Sequence, residues 1–151
     1  MNILFEKISQ KDFSSALRIY NYFITNSTSN FEEKRMTLKK FKLLFKKIKL
    51  SKLPFIFAKK NNRILGMAFV NKFREKSGYR FTYEHSIYLD PSFTNFGYGS
   101  IILKELLKQC KQNKKIKNLI AVIGSSDNVA SIKIHKKFGF KYIIILNFNR
   151  S

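Results

Sequence analysis

Apolar and polar positions follow the period of a helix in two early stretches of the chain. Residues 12–25 place aromatic and aliphatic side chains three or four positions apart, and a similar stripe follows Thr37. This spacing predicts two amphipathic helices, the second with Thr37 as its N-terminal cap. Residues 2–8 alternate instead in the manner of a strand, so the chain is predicted to begin as β-α-α.

Strands and helices are predicted to alternate through the rest of the chain. Short apolar runs bounded by turn residues predict strands, and longer stripes with a helical period predict helices. The predicted strands cover residues 54–59, 64–73, 79–89, 118–123 and 140–148, and the predicted helices cover residues 97–112 and 127–138. The order β-α-α-β-β-β-α-β-α-β describes an α/β fold with a mixed sheet. The sequence has no repeats or linkers, which predicts one domain over residues 1–151.

Composition places the chain among folded proteins with a substantial core. Its 151 residues are 44% hydrophobic and 15% aromatic, well above the content of a disordered basic tail. No apolar run approaches the roughly 18 residues of a membrane span, and residues 1–7 lack the order of a signal peptide. The single cysteine, Cys110, excludes an internal disulfide and a cysteine-based metal site, and we expect it to be half-buried in a helix. We therefore expect a soluble, cytoplasmic protein.

The formal net charge of +21 has two interpretations. A basic domain of this kind has the electrostatics of a nucleic-acid-binding protein. However, lysine, isoleucine, phenylalanine and asparagine make up nearly half of the chain, and all four have codons rich in A and T. Drift toward such codons enriches the surface in lysine and the core in phenylalanine at once, whereas selection for phosphate contacts favours arginine, of which there are only six. We favour drift, and expect nucleic acid to bind weakly and without sequence specificity.

The most informative candidate site is a glycine turn between a predicted strand and the helix after it. Gly97 and Gly99 allow the backbone to approach a ligand closely, and the first amides of the following helix direct unpaired donors at an anion. No Gly-Lys-Ser/Thr follows, and a third glycine is missing, so the turn matches neither the nucleoside-triphosphate nor the dinucleotide fingerprint. These residues alone are compatible with a pyrophosphate site and with an ordinary glycine-containing loop.

Four separated segments carry a further pattern, in one order along nearly the whole chain. They are residues 19–24 with 30–32, residues 78–88, the glycine turn, and residues 121–140, where Asn128, Ser131, His135 and Gly139 stand. Together they resemble the GCN5-related N-acetyltransferase superfamily, and within it the phosphinothricin and methionine sulfoximine N-acetyltransferases. The resemblance implies a mixed, mainly antiparallel twisted sheet flanked by helices. It also implies transfer of an acetyl group from acetyl-CoA to the amine of a small amino-acid-like substrate.

The resemblance also implies where acetyl-CoA binds. It places the cofactor in a cleft where strand 79–89 separates from strand 118–123, with the pantetheine arm on the backbone of Ile87, Tyr88 and Leu89. It also assigns Asn128 to the pantetheine arm. It assigns the pyrophosphate to the backbone amides of the glycine turn, whose cofactor-binding residues are Asn95, Phe96, Gly97, Tyr98, Gly99 and Ser100. The family turn usually begins with Arg or Gln where this chain has Thr94, and the subgroup favours Gly and Arg where this chain has Asn95 and Phe96. Two contacts to the pyrophosphate are therefore expected to be absent, and the lysine-rich surface is expected to supply part of the lost field.

Two residues are candidates for proton transfer. Glu84 lies inside a predicted strand among aromatic residues, and an amine that enters as an ammonium ion needs a base to take its proton. The alternative for Glu84 is a structural pair with a nearby lysine. His135 matches a position where the subgroup keeps histidine and where the wider superfamily often has a tyrosine that protonates the leaving thiolate, so either proton role is open to it. His85 points to the opposite face from Glu84 by strand alternation, and we interpret it as incidental.

The acceptor pocket is assigned through the same resemblance. Its candidate residues are Phe31, Tyr79, Arg80 and Thr82, of which Arg80 would bind the carboxylate of an amino acid in a bidentate pair. We expect a small-molecule amine as substrate, no metal, no membrane contact, and an assembly compatible with a homodimer. Two alternatives stay open: a basic nucleic-acid-binding or ribosome-associated module on the same fold, and an acetyltransferase that acts on a protein N-terminus or lysine.

Overall fold

Four helices and five strands make up the part of the chain that the computed structural model describes, namely residues 2–5, 8–26, 35–73, 81–123, 129–141 and 144–145. The helices are α1 (Gln10–Asn26), α2 (Leu38–Leu50), α3 (Tyr98–Gln112) and α4 (Val129–Lys137). The strands are β1 (Phe55–Lys60), β2 (Arg63–Lys72), β3 (Thr82–Leu89), β4 (Asn118–Ile123) and β5 (Ile144–Ile145), and a 3-10 turn at Pro91–Phe93 joins β3 to α3.

The strands form one mixed sheet in the order β1-β2-β3-β4-β5. β1 pairs with β2 and β2 with β3 in antiparallel fashion, whereas β3 with β4 and β4 with β5 are parallel. The parallel pairs follow from the helices α3 and α4, which return the chain to the starting edge of the sheet between successive strands. The predicted α/β fold with a mixed sheet is confirmed.

The two helical layers cover opposite faces of this sheet. Phe55 and Tyr88 mark the first face, since their rings contact Phe41 of α2 and Tyr20 of α1, with centroids 6.2 and 5.3 Å apart. On the other face a Cβ added at Gly66 of β2 would come within 3.0 Å of Ile102 Cδ1 in α3. The same Cβ would come within 2.5 Å of the backbone oxygen of Tyr88, so this glycine allows both β3 and α3 to approach β2 closely.

An aromatic cluster fills the space between the sheet and the helices α1 and α2. Phe55 stacks on Phe69 with ring centroids 4.7 Å apart, and Phe13 meets Phe45 edge to face at 5.1 Å. Edge-to-face and offset contacts of this kind add to the burial of apolar area. The phenylalanines that are enriched in the composition therefore do serve the core.

A buried ion pair fastens the start of α1 to the sheet. Asp12 Oδ2 accepts hydrogen bonds from Ser9 N, Ser9 Oγ and Lys59 Nζ, each 2.9 Å away. Burial alone would raise the pKa of Asp12, but the hydrogen bonds from Ser9 and Lys59 and the charge of Lys59 outweigh it and lower the pKa. The carboxylate is therefore ionised and satisfied inside the protein.

Local signals place the boundaries of several elements as expected. The side chain of Thr37 accepts a hydrogen bond from Lys40 N and caps α2. Asn61 and Asn62 have φ values of +51° and +65°, the conformation that a two-residue hairpin turn between β1 and β2 requires. Gly139 follows α4 with a φ of +92°, which only glycine adopts without strain.

Four expectations about single elements are wrong. Among its described residues, the first predicted strand is reduced to one isolated bridge between Leu4 and Lys59, which lies at a bulge in β1. The last strand does not begin at Phe140, which lies outside β5. The buried stripe of α3 turns Ile101 outward, and it makes Cys110 buried rather than half-buried. Residues 142–143 and 146–148 of the last predicted strand lie outside the described residues.

No helix within the described ranges is both long and apolar enough to cross a membrane.

Candidate active site

The gap between β3 and β4 is the central feature of the site. The strands pair in parallel only over residues 82–85 and 118–121, although β3 continues for four more residues and β4 for two. Beyond His85 the edge of β3 that faces β4 has no strand partner within the described chain. Alternate residues of a strand direct their backbone groups to opposite edges, so those of Ile87 and Leu89 are available to a ligand here, whereas those of Tyr88 lie on the β2 side opposite Met67. The predicted separation of the strands is confirmed, but the expectation that the backbone of Tyr88 faces the gap together with that of Ile87 and Leu89 is wrong.

The glycine turn lies at the end of this gap. Gly97 stands at the N-terminal cap position of α3 in the left-handed conformation, with φ +79° and no side chain to cap the helix. A Cβ built on Gly97 would meet no atom within 4 Å, so the space before the first turn of the helix is open. Tyr98, Gly99 and Ser100 form that turn and are half-buried. Its amides are therefore free to bind an anion through the positive end of the helix dipole.

The residues that depart from the family turn have other contacts. Thr94 Oγ1 donates to Pro91 O at 3.2 Å, and Asn95 adopts a positive φ of +69°. Phe96 is 66% exposed, and its ring stacks on Tyr98 with centroids 5.8 Å apart. None of these three side chains brings a positive charge to the turn.

Positive charge reaches the turn from β1 and β2 instead. Lys60 Nζ donates to Tyr98 Oη at 2.6 Å, and the guanidinium of Arg63 lies 5.0 Å from the centre of the Phe93 ring. Both side chains belong to the hairpin that ends beside α3. Sequence reasoning missed them because only the pairing of β2 with β3 brings the hairpin turn to the end of β3.

Asp90 fixes the start of the turn. It is fully buried and accepts a hydrogen bond from Ser92 N at 3.0 Å. Arg18 of α1 lies 3.3 Å and Arg63 3.8 Å from its Oδ2, and its own amide donates to Leu65 O at 2.7 Å. The carboxylate therefore ties the turn to α1 and β2, and it places two arginines beside the site.

Glu84 lies on β3 directly before His85, the last residue of this strand that pairs with β4. Its Cα neighbours are Asn71 on β2 and Ile120 on β4, and its side chain is half-buried. Because side chains alternate along a strand, Glu84 shares a face with Thr82 and with Tyr88, whose ring packs on α1. The candidate base therefore stands on the face that α1 and α2 cover.

The interpretation of His85 as incidental is wrong. Alternation does direct it away from Glu84, but there it meets the second candidate, His135 of α4. The two Nε2 atoms are 2.8 Å apart, and the rings stack with centroids 5.0 Å apart and planes inclined by 19°. Both side chains are buried, and the ring of Phe140 packs on both. The structure therefore brings the two histidines together and leaves Glu84 on the opposite face.

Burial keeps both histidines neutral near pH 7. Desolvation and, to a smaller extent, the charge of a protonated His135 together lower the pKa of His85 from its ordinary 6.5 to about 3. Desolvation also lowers the pKa of His135, although the hydrogen bond to Ser131 O favours its protonated form. Neither histidine is therefore a strong acid or base at neutral pH.

Several predicted site residues lie outside the described residues. They are Phe31, Tyr79 and Arg80 of the acceptor pocket and Asn128 of the cofactor site. Thr82 is described, and it stands half-buried at the start of β3. Of the predicted acceptor residues, it alone has a described position in the sheet.

A groove of about 710 Å³ lies elsewhere, between the C-terminal ends of α2 and α3. It contains Glu105 and a set of lysines, namely Lys49, Lys52, Lys108, Lys114 and Lys115. Lysines at this position offset the negative ends of two helix dipoles. The groove is lined by none of the predicted site residues and is at the end of α3 opposite the glycine turn.

Comparison with known proteins gives one family. Residues 16–140 match the family model described as "Acetyltransferase (GNAT) family". Phosphinothricin N-acetyltransferase from Alcaligenes faecalis is 30% identical over 133 residues, a match that covers 88% of this chain and 67% of that protein. L-methionine sulfoximine/L-methionine sulfone acetyltransferase from Salmonella typhimurium is 24% identical over 129 residues, with 85% and 74% covered.

A solved structure has a similar fold. It is a GNAT superfamily phosphinothricin acetyltransferase from Sinorhizobium meliloti in complex with AcCoA, 29% identical, with a TM-score of 0.83. The match covers 93% of this chain and 76% of that one. The fold of this chain is therefore similar to that of a solved acetyltransferase that was crystallised with its acetyl donor.

Proposed function

Because the chain belongs to the acetyltransferase (GNAT) family, we propose that it acetylates the amine of a small amino acid or analogue, of the phosphinothricin or methionine sulfoximine type. The chain is an N-acetyltransferase, and acetyl-CoA is its acetyl donor. One observation of its structure carries the proposal: the open backbone edge of β3 leads directly to an uncapped helix N-terminus.

The residues present fit acetyl-CoA. The backbone groups of Ile87 and Leu89 face the gap and offer hydrogen bonds of the kind that the amides of a pantetheine arm make. The first turn of α3 offers amides to the pyrophosphate, and the empty space at Gly97 lets the phosphates approach. Lys60 and Arg63 add positive charge beside the turn, in place of the residues that Thr94, Asn95 and Phe96 replace.

We assign the chemistry to groups at the edges of the gap. Bound acetyl-CoA supplies an acetyl group that is activated as a thioester. An amide on the open edge of β3 donates a hydrogen bond to the carbonyl oxygen as it becomes an oxyanion. Glu84 takes the proton from the ammonium group of the acceptor, directly or through water, so that the nitrogen has a lone pair for attack on the acetyl carbon. Formation of the C–N bond would break the C–S bond, and the CoA thiolate that leaves would take a proton from water.

His135 does not suit direct protonation of the thiolate in this arrangement. Its Nδ1 lies 2.6 Å from Ser131 O, a carbonyl that can only accept, so Nδ1 carries the proton that it donates there. Its Nε2 faces His85, which holds it in the buried pair. The neutral ring therefore has no proton to give outward. Phe31, Tyr79 and Arg80 stay predictions for the acceptor pocket.

A melting screen followed by a turnover assay tests the proposal. Acetyl-CoA is expected to raise the melting temperature by mass action, since it binds only the folded protein. Release of CoA is then measured with phosphinothricin, methionine sulfoximine, ordinary amino acids and short peptides as acceptors. We expect turnover with small amino acids or their analogues and none with peptides. No melting shift at millimolar acetyl-CoA would refute the cofactor site, and turnover with peptides alone would replace the acceptor class.

A further inference from the structure

The buried histidine pair stands where β3 and β4 part. His85 is the last residue of β3 that pairs with β4, opposite Ala121. The residue is buried, with only 5% of its surface exposed. Within the ring, Nδ1 is bonded to Cγ and stays close to the β3 backbone, whereas Nε2 reaches across to His135. His85 therefore stands at the start of the gap.

The hydrogen bonds of His135 determine which nitrogens of the pair carry protons. Nδ1 of His135 donates to Ser131 O at 2.6 Å, because a carbonyl oxygen has no proton to offer. In a neutral ring Nε2 of His135 is then an acceptor. The short contact of 2.8 Å requires a donor on the other side, so His85 carries its proton on Nε2.

One nitrogen of the pair is left over. With its proton on Nε2, His85 has a bare lone pair on Nδ1, and this atom has no hydrogen-bond partner among the described residues. A buried acceptor without a donor costs free energy, so such atoms normally meet a ligand or an ordered water. The neighbours of His85 on its face in β2 and β4, Val70 and Ala121, offer no side-chain donor.

We propose that His85 Nδ1 is a hydrogen-bond acceptor of the active site and binds a single N–H or O–H donor at the start of the gap. The donor has two sources, an amide of the pantetheine arm or an ordered water molecule. The location rests on the proposed cofactor site, but the tautomer and the acceptor state are properties of the free protein. His135 and Ser131 hold His85 in this state and are positioning residues.

Nitrogen NMR of the imidazole rings tests the tautomer and the acceptor. The sequence has only two histidines, so an untagged, ¹⁵N-labelled chain gives one set of signals for each. We expect a protonated Nδ1 in His135, a protonated Nε2 in His85, and a His85 Nδ1 signal displaced toward that of a hydrogen-bonded nitrogen. Displacement only after addition of CoA identifies the cofactor as donor, and displacement already in the free protein identifies water. A protonated His85 Nδ1, or a free lone pair in both states, would overturn the proposal.

Two variants separate the two nitrogens of His85. His85→Asn keeps an oxygen acceptor near Nδ1 and loses the donor to His135, whereas His85→Gln keeps a donor near Nε2 and loses the acceptor. If the cofactor is the donor, His85→Gln is expected to bind CoA about fivefold more weakly in calorimetry, while His85→Asn binds it nearly as the unaltered protein does. If water is the donor, both bind CoA equally and His85→Gln loses unfolding free energy.

The reverse order of affinities, with His85→Asn the weaker, would show that the link to His135 matters and that Nδ1 does not. The His135 signals in each variant report whether the pair has kept its geometry. Failure of CoA to bind the unaltered protein would refute the proposed function, whereas the signals of the free protein would still decide the acceptor state of His85.

Discussion

At the scale of single residues, the proposed role of Glu84 as general base gives the most direct test of the reaction. Glu84→Gln keeps the shape of the side chain but cannot take a proton from an ammonium group. We expect kcat to fall by about 10²–10⁴, the usual contribution of a general base, with acetyl-CoA binding nearly unchanged. The deficit is expected to shrink as the assay pH approaches the pKa of the acceptor amine. Steady-state kinetics over a range of pH measure both effects.

Glu105→Gln is the matched control for this change. Glu105 lies on α3 beside the lysine-lined groove, and its side chain accepts from Gln109 at 3.0 Å. The substitution Glu105→Gln removes one negative charge, as Glu84→Gln does, but at a distance from the gap. Equal rates for Glu84→Gln and the unaltered protein at pH 7 would assign Glu84 to a structural role.

The buried histidines also predict how stability depends on pH. Their pKa values are depressed in the folded protein, to about 3 for His85, from an ordinary 6.5. The unfolded chain therefore binds more protons as the pH falls below 6.5, and the folded state loses stability down to its own pKa. We expect the free energy of unfolding to reach its maximum above pH 7. Below pH 6.5 we expect it to decline by at most about 1.4 kcal/mol per pH unit for each histidine.

Urea unfolding between pH 7.5 and pH 4.5 measures this slope. The range stays above the ordinary pKa of aspartate, so the buried carboxylate of Asp12 contributes little to it. His85→Gln cannot be protonated and is expected to show a shallower slope. An unchanged slope in that variant would contradict the burial argument.

Local signals identified residues whose role depends on near neighbours in sequence. Thr37 caps the helix that follows it, and Asn61 and Asn62 form the turn that their dipeptide predicts. His85 and His135 are fifty residues apart, and their contact depends on α4 packing against β3. The alternation rule placed His85 on the correct face, but no local rule states what covers that face.

At the scale of elements, the helices and inner strands were predictable because burial on one face imposes a period on their sequence. The outer segments were not. Where the structure describes it, the first predicted strand has a single bridge to β1, beside a bulge, which alternation in residues 2–8 does not reveal. The separation of β3 from β4 was implied by the resemblance alone, because each strand has an ordinary strand pattern by itself.

Gly97→Val tests the turn before α3. The new side chain would occupy the open space at the helix N-terminus and would strain a φ of +79°. We expect the melting shift with acetyl-CoA to disappear. Lys52→Val is the control for strain, since Lys52 also has a positive φ, of +58°, and lies in the groove remote from the turn. It is expected to melt lower and yet keep the full shift, and loss of the shift in both variants would exclude a local role for Gly97.

At the scale of the whole molecule, the charge of +21 is poorly balanced on the surface. Among the described residues the carboxylates are Asp12, Glu84, Asp90 and Glu105, and two of these are buried against Lys59, Arg18 and Arg63. Lysines at helix ends and in the groove therefore give a diffuse positive field. Such a field attracts polyanions without recognising a sequence.

We expect duplex DNA and RNA to bind weakly, with an affinity that collapses as salt rises through the physiological range. Fluorescence anisotropy with oligonucleotides of unrelated sequence, measured in a salt series, gives both the affinity and its slope. Tight, sequence-dependent binding that survives about 0.2 M salt would show a selected nucleic-acid surface and contradict compositional drift.

The position of Cys110 keeps the folded protein from reacting with the reagents that are used to detect thiols. It is the only cysteine in the sequence, it is buried in the stripe of α3 that packs on the sheet, and burial raises the pKa of its thiol to about 11. A thiolate-specific reagent therefore ignores the folded enzyme and reacts at once with free CoA. After turnover is complete, any slow further labelling reports the exposure of the Cys110 thiol, which requires α3 to separate from the sheet. One absorbance trace therefore gives both the catalytic rate and the rate at which this part of the fold opens.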